Sequence, residues 1–450
     1  MTRGGSYLRG LRQAGLAAAA ALSLGSCHKT PEYAAYLDEA RRIAAQHIIV
    51  DTHIDVPYRL SEAPEDIAQR TASGDFDYPR ARTGGLDALF MSIYVPAALE
   101  TSGGATELAD RLIDLVEKLA GDAPEKFAMA RTPDEVRSNF IAGRISFALG
   151  MENGAPIAGD LENLRRFQAR GVRYVTLAHS KSNHIADSSF DERRPWGGLS
   201  PFGKTVVQEM NRLGVMIDVS HISDEAFRDV LELTRAPVIA SHSAARFFTP
   251  GFERNMSDDM IVALARNGGV IQINFGSSFL TAEASAWLQT YLTRFEQHVT
   301  AARIDPEGEA AKNFAKTYRE SHPLPFASLD DVLDHIDHVA EIAGIEHVGL
   351  GSDFDGVGDS LPEGLKDVAA YPNLIAGLLL RGYSETDIDK ILSGNILRVW
   401  TAVQAAASDA SPSDGYIKKG DRVNTPAARP DPLPGPPTPG SRGDARPRSG

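Results

Sequence analysis

Cysteine is all but missing from this 450-residue chain: Cys27 is the sole example. No intrachain disulfide can form, and no cysteine-rich zinc site can be built. An excess of basic charge is also lacking. Lys and Arg total 46 against 60 Asp and Glu, a formal net charge of -14. That balance argues against a nucleic-acid partner, which calls for a basic stripe. No glycine-rich phosphate turn follows the first apolar run, which counts against an open, doubly wound nucleotide-binding sheet. What is present, 42% hydrophobic and 24% charged residues, suits a soluble globular protein. The length admits two or three average domains, or one barrel of more than about 250 residues.

The two ends differ from the middle. Arg3, Arg9 and Arg12 precede a short apolar stretch from about Ala14 to Gly25, followed by Leu24-Gly25-Ser26-Cys27. A basic segment, a short apolar segment and small residues at the cut are the parts of a secretory signal peptide, too short to span a bilayer comfortably. Leu-Gly-Ser-Cys resembles the bacterial lipobox, whose cysteine becomes the lipidated first residue of the mature chain. The expectation is a signal over residues 1–27 and an exported protein in a bacterial cell envelope, lipid-anchored through Cys27 at the periplasmic face of a membrane. Residues 411–450 are rich in Pro, Gly, Arg and Asp and nearly devoid of large apolar side chains. They cannot bury enough surface to offset their ordering entropy, so a disordered tail is expected.

Between the ends, apolar runs suited to buried parallel strands alternate with helix-period segments. The runs are 48–57, 87–95, 145–152, 172–179, 215–221, 237–242, 269–275 and 347–353. Eight strand–helix repeats imply a (β/α)8 TIM barrel over residues 32–405, with a mostly helical insertion at about 281–327.

Six of the eight runs end in residues that bind metals or move protons: His53 with Asp55, Glu152, His179, His221, His242 and Asp353. Strand C-termini converge on one face of a barrel, where activity resides. His53 and Asp55, two apart on a strand, should project from the same face. A lone strand-end histidine is most often structural, but six such ends point to a metal site. One zinc with three protein ligands would use half of the set. The surplus, with a carboxylate able to bridge, points to two metals. Other candidates read as structural: His335 and His338 on a helix outside the barrel, and His47 and His347 at the opposite mouth. Asp355 is a substitute for Asp353 on the same face, and Asp51 is expected to point inward one layer deeper.

The ordered set His53-Ile54-Asp55, Gly150-Met151-Glu152-Asn153-Gly154, His179-Ser180, Asp218-Val219-Ser220-His221, Ser241-His242-Ser243-Ala244 and Gly351-Ser352-Asp353-Phe354-Asp355-Gly356 resembles the membrane (renal) dipeptidase family of metallopeptidases. Gly198-Leu199-Ser200-Pro201-Phe202-Gly203 and Asn211-Arg212-Leu213-Gly214 add to the match, which spans about Ala40 to Trp400. The resemblance implies a barrel with two zinc ions that hydrolyses dipeptides. By it, His53 and Asp55 would hold one zinc, His221 and His242 the other, and Glu152 would bridge them. His179 would polarise the substrate carbonyl or stabilise the oxyanion. Arg254, in Glu253-Arg254-Asn255-Met256, would bind the substrate's free carboxylate, and Asp353 would shuttle the proton. The family's disulfide cysteines are missing here, and Gly276 stands where some members carry a bulky aromatic.

On that reading a water shared by two zinc ions is acidified to near pH ~7 and attacks the scissile carbonyl as hydroxide. Asp353 passes the proton to the leaving amine. Two rivals are a different binuclear amidohydrolase and a non-catalytic envelope binding protein. Many amidohydrolases use His-x-His on the first strand and a carboxylated lysine; this chain has His-x-Asp and no lysine ending the fourth strand. The rival binding protein should have lost a ligand or the shuttle, and none is missing. Dipeptides are thus the expected partners; a homodimer is an open option that the sequence does not decide.

Overall fold

A computed structural model of the chain describes residues 31–408, apart from 306 and 307. The expected signal segment with Cys27 and the expected tail from 411 lie outside the described residues. The strands are β1 (Ile49–Ile54), β2 (Leu86–Tyr94), β3 (Phe127–Met129), β4 (Ile145–Glu152), β5 (Val172–Thr176), β6 (Met216–Asp218), β7 (Ile239–Ser243), β8 (Val270–Ile273) and β9 (Val348–Leu350). All pairings are parallel, in the order β1-β2-β4-β5-β6-β7-β8-β9. Asp353 N–H donates to His53 O (3.1 Å) and Asp55 N–H to Phe354 O (2.9 Å), which joins the last strand end to the first. The eight expected runs therefore form the expected barrel. The ninth strand, β3, pairs with the first half of β4 before β5 takes over that edge at Leu149. Three residues carry no period, so nothing in the sequence signals it.

The helices start where side chains can cap them. Ser200, Ser223, Ser257 and Ser328 each accept a backbone N–H of the first turn. Gly171 and Gly214 end theirs in the left-handed conformation. Helix Asn395–Ser408 closes the barrel floor. Its Ile396, Leu397, Val399 and Trp400 pack with Val50, Ala88, Phe90, Ala148, Tyr174, Met216, Ile239 and Val270 from the strands. A larger apolar cluster fills the space between the sheet and the outer helices.

The strands are shorter at the mouth than the apolar runs suggest: β5 stops at Thr176, β6 at Asp218 and β9 at Leu350. A recurring local device ends the ladder. A side-chain oxygen accepts the N–H two residues on: Asp51 from His53, Asn153 from Ala155, Asp218 from Ser220, Asn274 from Gly276 and Ser352 from Phe354. Asx and Ser turns of this kind compete with strand pairing. His53, Glu152 and His242 therefore sit among the last residues of their strands, while Asp55, His179, His221 and Asp353 sit just past theirs.

Asp51 corrects one expectation. It is buried but lies on the helix side of β1, where the Tyr371 hydroxyl of helix Tyr371–Leu380 donates to it at 2.5 Å. The pairing of β1 with β2 is irregular between Asp51 and Ile54, so strict alternation does not carry through to His53. The insertion holds helices Ala282–Ala302 and Glu309–Ser321, packed through Trp287, Tyr291, Phe295, Phe314 and Tyr318.

Candidate metal centre

Glu152, the last residue of β4, is the hub of the mouth. Its Oε1 lies 3.3 Å from His179 Nε2, 3.1 Å from His221 Nε2 and 3.3 Å from His242 Nε2. Its Oε2 lies 3.4 Å from His53 Nε2, which is also 3.4 Å from Asp55 Oδ2. Donor atoms of His53, Asp55 and Asp353 form a further close group. The structure thus brings His53, Asp55, Glu152, His179, His221, His242 and Asp353 into one pocket.

The chemistry of this donor set fits divalent metal ions. His221 Nε2 and His242 Nε2 face each other at 2.9 Å, and His53 Nε2 is buried with no hydrogen-bond partner among the described residues. Imidazole nitrogens and carboxylate oxygens aimed at common points are what zinc and its neighbours take. The backbone is held in an unusual state to achieve this: His221 and Asp353 have φ of 70° and 63°. Left-handed non-glycine residues cost energy and collect at functional sites.

The protonation pattern follows from burial and charge. Burial raises the Glu152 carboxyl, but the His53 and His179 charges and hydrogen bonds from His179 and His221 outweigh it and hold it well below the usual range. Burial drives His221 and His242 well down; the Arg254 charge adds to both, and so does His53 for His242. Neutral imidazoles, favoured at His221 and His242, are the ligand form. His53 is shifted the other way, its burial outweighed by Tyr174 and the Glu152 and Asp55 carboxylates, which hold it well above the usual range. Asp353 is pushed well up by burial and by the Asp55 and Glu152 carboxylates, against the pull of His53 and of the Asn274 amide that donates to it at 2.8 Å.

Arg254 is 3% exposed. Its guanidinium donates to Ser243 Oγ and His242 O, both at 2.8 Å, and Nε has no partner among the described residues. No carboxylate lies within ion-pair reach among the described residues, and burial lowers its pKa to about 10. This is a core cation beside the pocket, not a surface ion-pair partner.

The residues read as structural find other work. His335 accepts from Ala245 N–H and faces Leu280 O, His338 pairs with Asp258, His47 with Glu385 and Asp389, and His347 with Gly269 O. Asp355 is tied to Arg59 at 2.9 Å, so it does not replace Asp353. Sequence reasoning missed Ser92, whose hydroxyl donates to Glu152 Oε2 (3.2 Å), and Asn274 behind Asp353. It gave Tyr174 and Ser241 no role, although they touch His53 and His242. One signal was available. Gly150 interrupts a buried strand, which marks a close approach, and a Cβ there would lie 2.0 Å from the Tyr174 ring.

A parallel barrel that delivers imidazoles and carboxylates into one buried mouth defines a metal-dependent hydrolase. Comparison with known proteins narrows this. The family model for membrane dipeptidase (peptidase family M19) matches residues 37–414, and the chain belongs to that family of metallo-dipeptidases. It is 36% identical to dipeptidase aclJ of Aspergillus oryzae over 77% of this chain and 74% of that one. The probable dipeptidase PvdM from Pseudomonas aeruginosa has a similar solved structure, with TM-score 0.72 and 29% identity over 83% of this chain and all of that one. A metallopeptidase from Rhodobacter sphaeroides, liganded with a phosphinate mimic of the dipeptide L-Ala-D-Ala, matches with TM-score 0.64 and 27% identity, covering 79% and 99%.

Proposed function

We propose that the chain is a zinc-dependent dipeptidase with two metal ions that cleaves dipeptides bearing a free C-terminal carboxylate. The observation that carries the substrate choice is Arg254, a buried guanidinium beside the ligand cluster with no carboxylate of its own among the described residues. The Asp353, Asp218 and Glu152 carboxylates favour its charge only from beyond ion-pair reach, and a bound substrate carboxylate would pair with it directly. The dipeptide mimic held by the Rhodobacter sphaeroides relative supports the same substrate class.

His53 and Asp55 would hold one ion and His221 and His242 the other, with Glu152 as the ligand common to both. Ions held there would supply Lewis acidity to the scissile carbonyl and would lower the pKa of water to near ~7. His179 has 18% of its side chain exposed, the most among the four site imidazoles, and faces the substrate to polarise its carbonyl oxygen. Asp353 takes the proton from the attacking water and gives it to the departing amine, a transfer suited to a carboxyl whose pKa burial has raised. Arg254 grips the free carboxylate and sets the reach to the scissile bond, which favours a dipeptidase over an endopeptidase.

The test is turnover of purified, zinc-loaded protein on L,L- and L,D-dipeptides and their C-terminal amides, with a chelator control. Hydrolysis of the free acids that a chelator abolishes is expected. Equal hydrolysis of the amides overturns the carboxylate clamp; no dependence on metal overturns the metal reading.

We also infer attachment to an envelope membrane through a lipid on Cys27. Among the described residues no helix is long and apolar enough to cross a membrane. A lipid on Cys27 accordingly predicts that Cys27→Ser moves the protein from the membrane fraction to the soluble one; an unchanged distribution refutes it.

A further inference from the structure

His53 and His242 are the two most buried imidazoles of the mouth, and each has its Nδ1 held by a hydroxyl. The Tyr174 hydroxyl lies 2.8 Å from His53 Nδ1 and 3.0 Å from the Thr52 carbonyl oxygen. A carbonyl can only accept, so the single phenolic proton goes to Thr52 and the phenolic oxygen accepts from His53 Nδ1–H. Ser241 repeats the arrangement. Its Oγ lies 2.6 Å from Asp218 Oδ2 and 2.7 Å from His242 Nδ1. Asp218 accepts from Ser220 N–H, Ser241 N–H, Thr176 Oγ–H and Ser241 Oγ–H, a full set of donors for a carboxylate. The Ser241 proton therefore goes to Asp218, and Ser241 Oγ accepts from His242 Nδ1–H.

We propose that Tyr174 and Ser241 are positioning residues, each fixing its histidine in the tautomer whose Nε2 lone pair faces the metal pocket. The proposal rests on the metal reading above. The selectivity is informative: His179 Nδ1 and His221 Nδ1 are buried and have no partner among the described residues. Two further features serve the same end. Gly150 leaves room for the Tyr174 ring to cross the barrel, and the Thr52 hydroxyl donates to Ser241 O at 2.6 Å, tying the two relays together. Hydroxyls thus take the place that a carboxylate or backbone carbonyl commonly fills behind a metal-bound histidine.

The test uses the full chain with Tyr174→Phe, which removes one oxygen and keeps the ring, and Ser241→Ala. Zinc affinity is read by competition with a chromophoric chelator, and thermal unfolding of the metal-stripped protein reports the fold. Nitrogen-15 NMR of histidine-labelled, metal-stripped protein reports which ring nitrogen carries the proton when no metal dictates it. A loss of zinc affinity of about 10–100-fold is expected in each variant, with the metal-stripped melting temperature held. The unsubstituted protein should show Nδ1–H on His53 and His242. Unchanged affinity in both variants overturns the proposal, as does an Nε2–H in place of Nδ1–H on either histidine. If affinity and metal-stripped stability fall together, Nδ1–H on both histidines of the unsubstituted protein still supports it. Should the unsubstituted protein bind no zinc, the metal reading itself fails, a different outcome from intact binding with indifferent variants.

Discussion

At the floor of the barrel Trp400 packs 5.2 Å from Phe90, among Val50, Ala88, Ala148 and Val270. At the mouth, the same strands lead to His53, Glu152, His221, His242 and Asp353, also buried, but with ionisable groups crowded against one another. The floor is built from carbon and dispersion contacts, and its worth is stability. The mouth gathers like charges and left-handed backbone, which stability alone does not explain. The difference shows that the barrel scaffold supplies the free energy that holds an unfavourable constellation together.

The sharpest way to break this comparison is at the hub. Glu152→Gln should lower turnover by more than about 10³-fold and reduce bound zinc, and because His53 and His179 stabilise its carboxylate the metal-stripped variant should also melt lower than the parent. Activity assays, metal analysis and thermal melts check this; near-normal turnover removes Glu152 from the centre. Asp353→Asn should cost about 10³-fold in kcat, in the range of a positioned general base, while zinc content stays intact. Because it removes a carboxylate crowded by Asp55 and Glu152, the metal-stripped variant should melt no lower than the parent.

Arg254→Ala should lower kcat/KM for dipeptides with a free carboxylate by about 10²-fold, as for a lost charged hydrogen bond of about 3 kcal/mol. C-terminal amides should lose far less; parallel losses argue that Arg254 only supports the fold. The floor should behave in reverse. Trp400→Ala should cost about 3–5 kcal/mol of stability by denaturant titration, while the folded fraction keeps its kcat/KM.

The most gradual effect is a pH dependence at the floor. Burial, only partly offset by the Ile49 N–H and by Arg82, pushes the Asp87 carboxyl up to about 7. Between about pH 4 and 7 the folded chain holds a proton that the unfolded chain releases. Stability from this group is therefore full below that window and is lost as pH rises through it. Asp87→Asn should flatten the decline, by at most about 4 kcal/mol over the window. An unchanged slope in melts between pH 4 and 8 places the titration elsewhere.

Much of this was legible from residue order. Long apolar runs announce buried strands because a parallel sheet covered on both faces needs carbon throughout, and eight of them reappear as barrel strands. The conjunction of histidines and carboxylates at run ends was visible for the same reason: strand ends in a barrel share one mouth. Strand β3 was illegible because three residues carry no pattern. Asp51 was misplaced because the alternation rule assumes an unbroken ladder, and β1 breaks its register before His53.

The sequence by itself determined the repeat, its class, and which residue types stand at the strand ends. Only the tertiary structure decided the rest, because the remaining decisions are contacts between residues far apart in the chain. Those contacts put Glu152 within 3.1–3.4 Å of nitrogens from the mouth ends of four other strands. They leave Arg254 buried beside the pocket with no carboxylate in ion-pair reach among the described residues, while tying Asp355 to Arg59. They also set Tyr174 behind His53, through a gap that Gly150 keeps open. Local chemistry names the donors, but whether a donor meets a partner, a metal or a substrate depends on what the closed barrel brings opposite it.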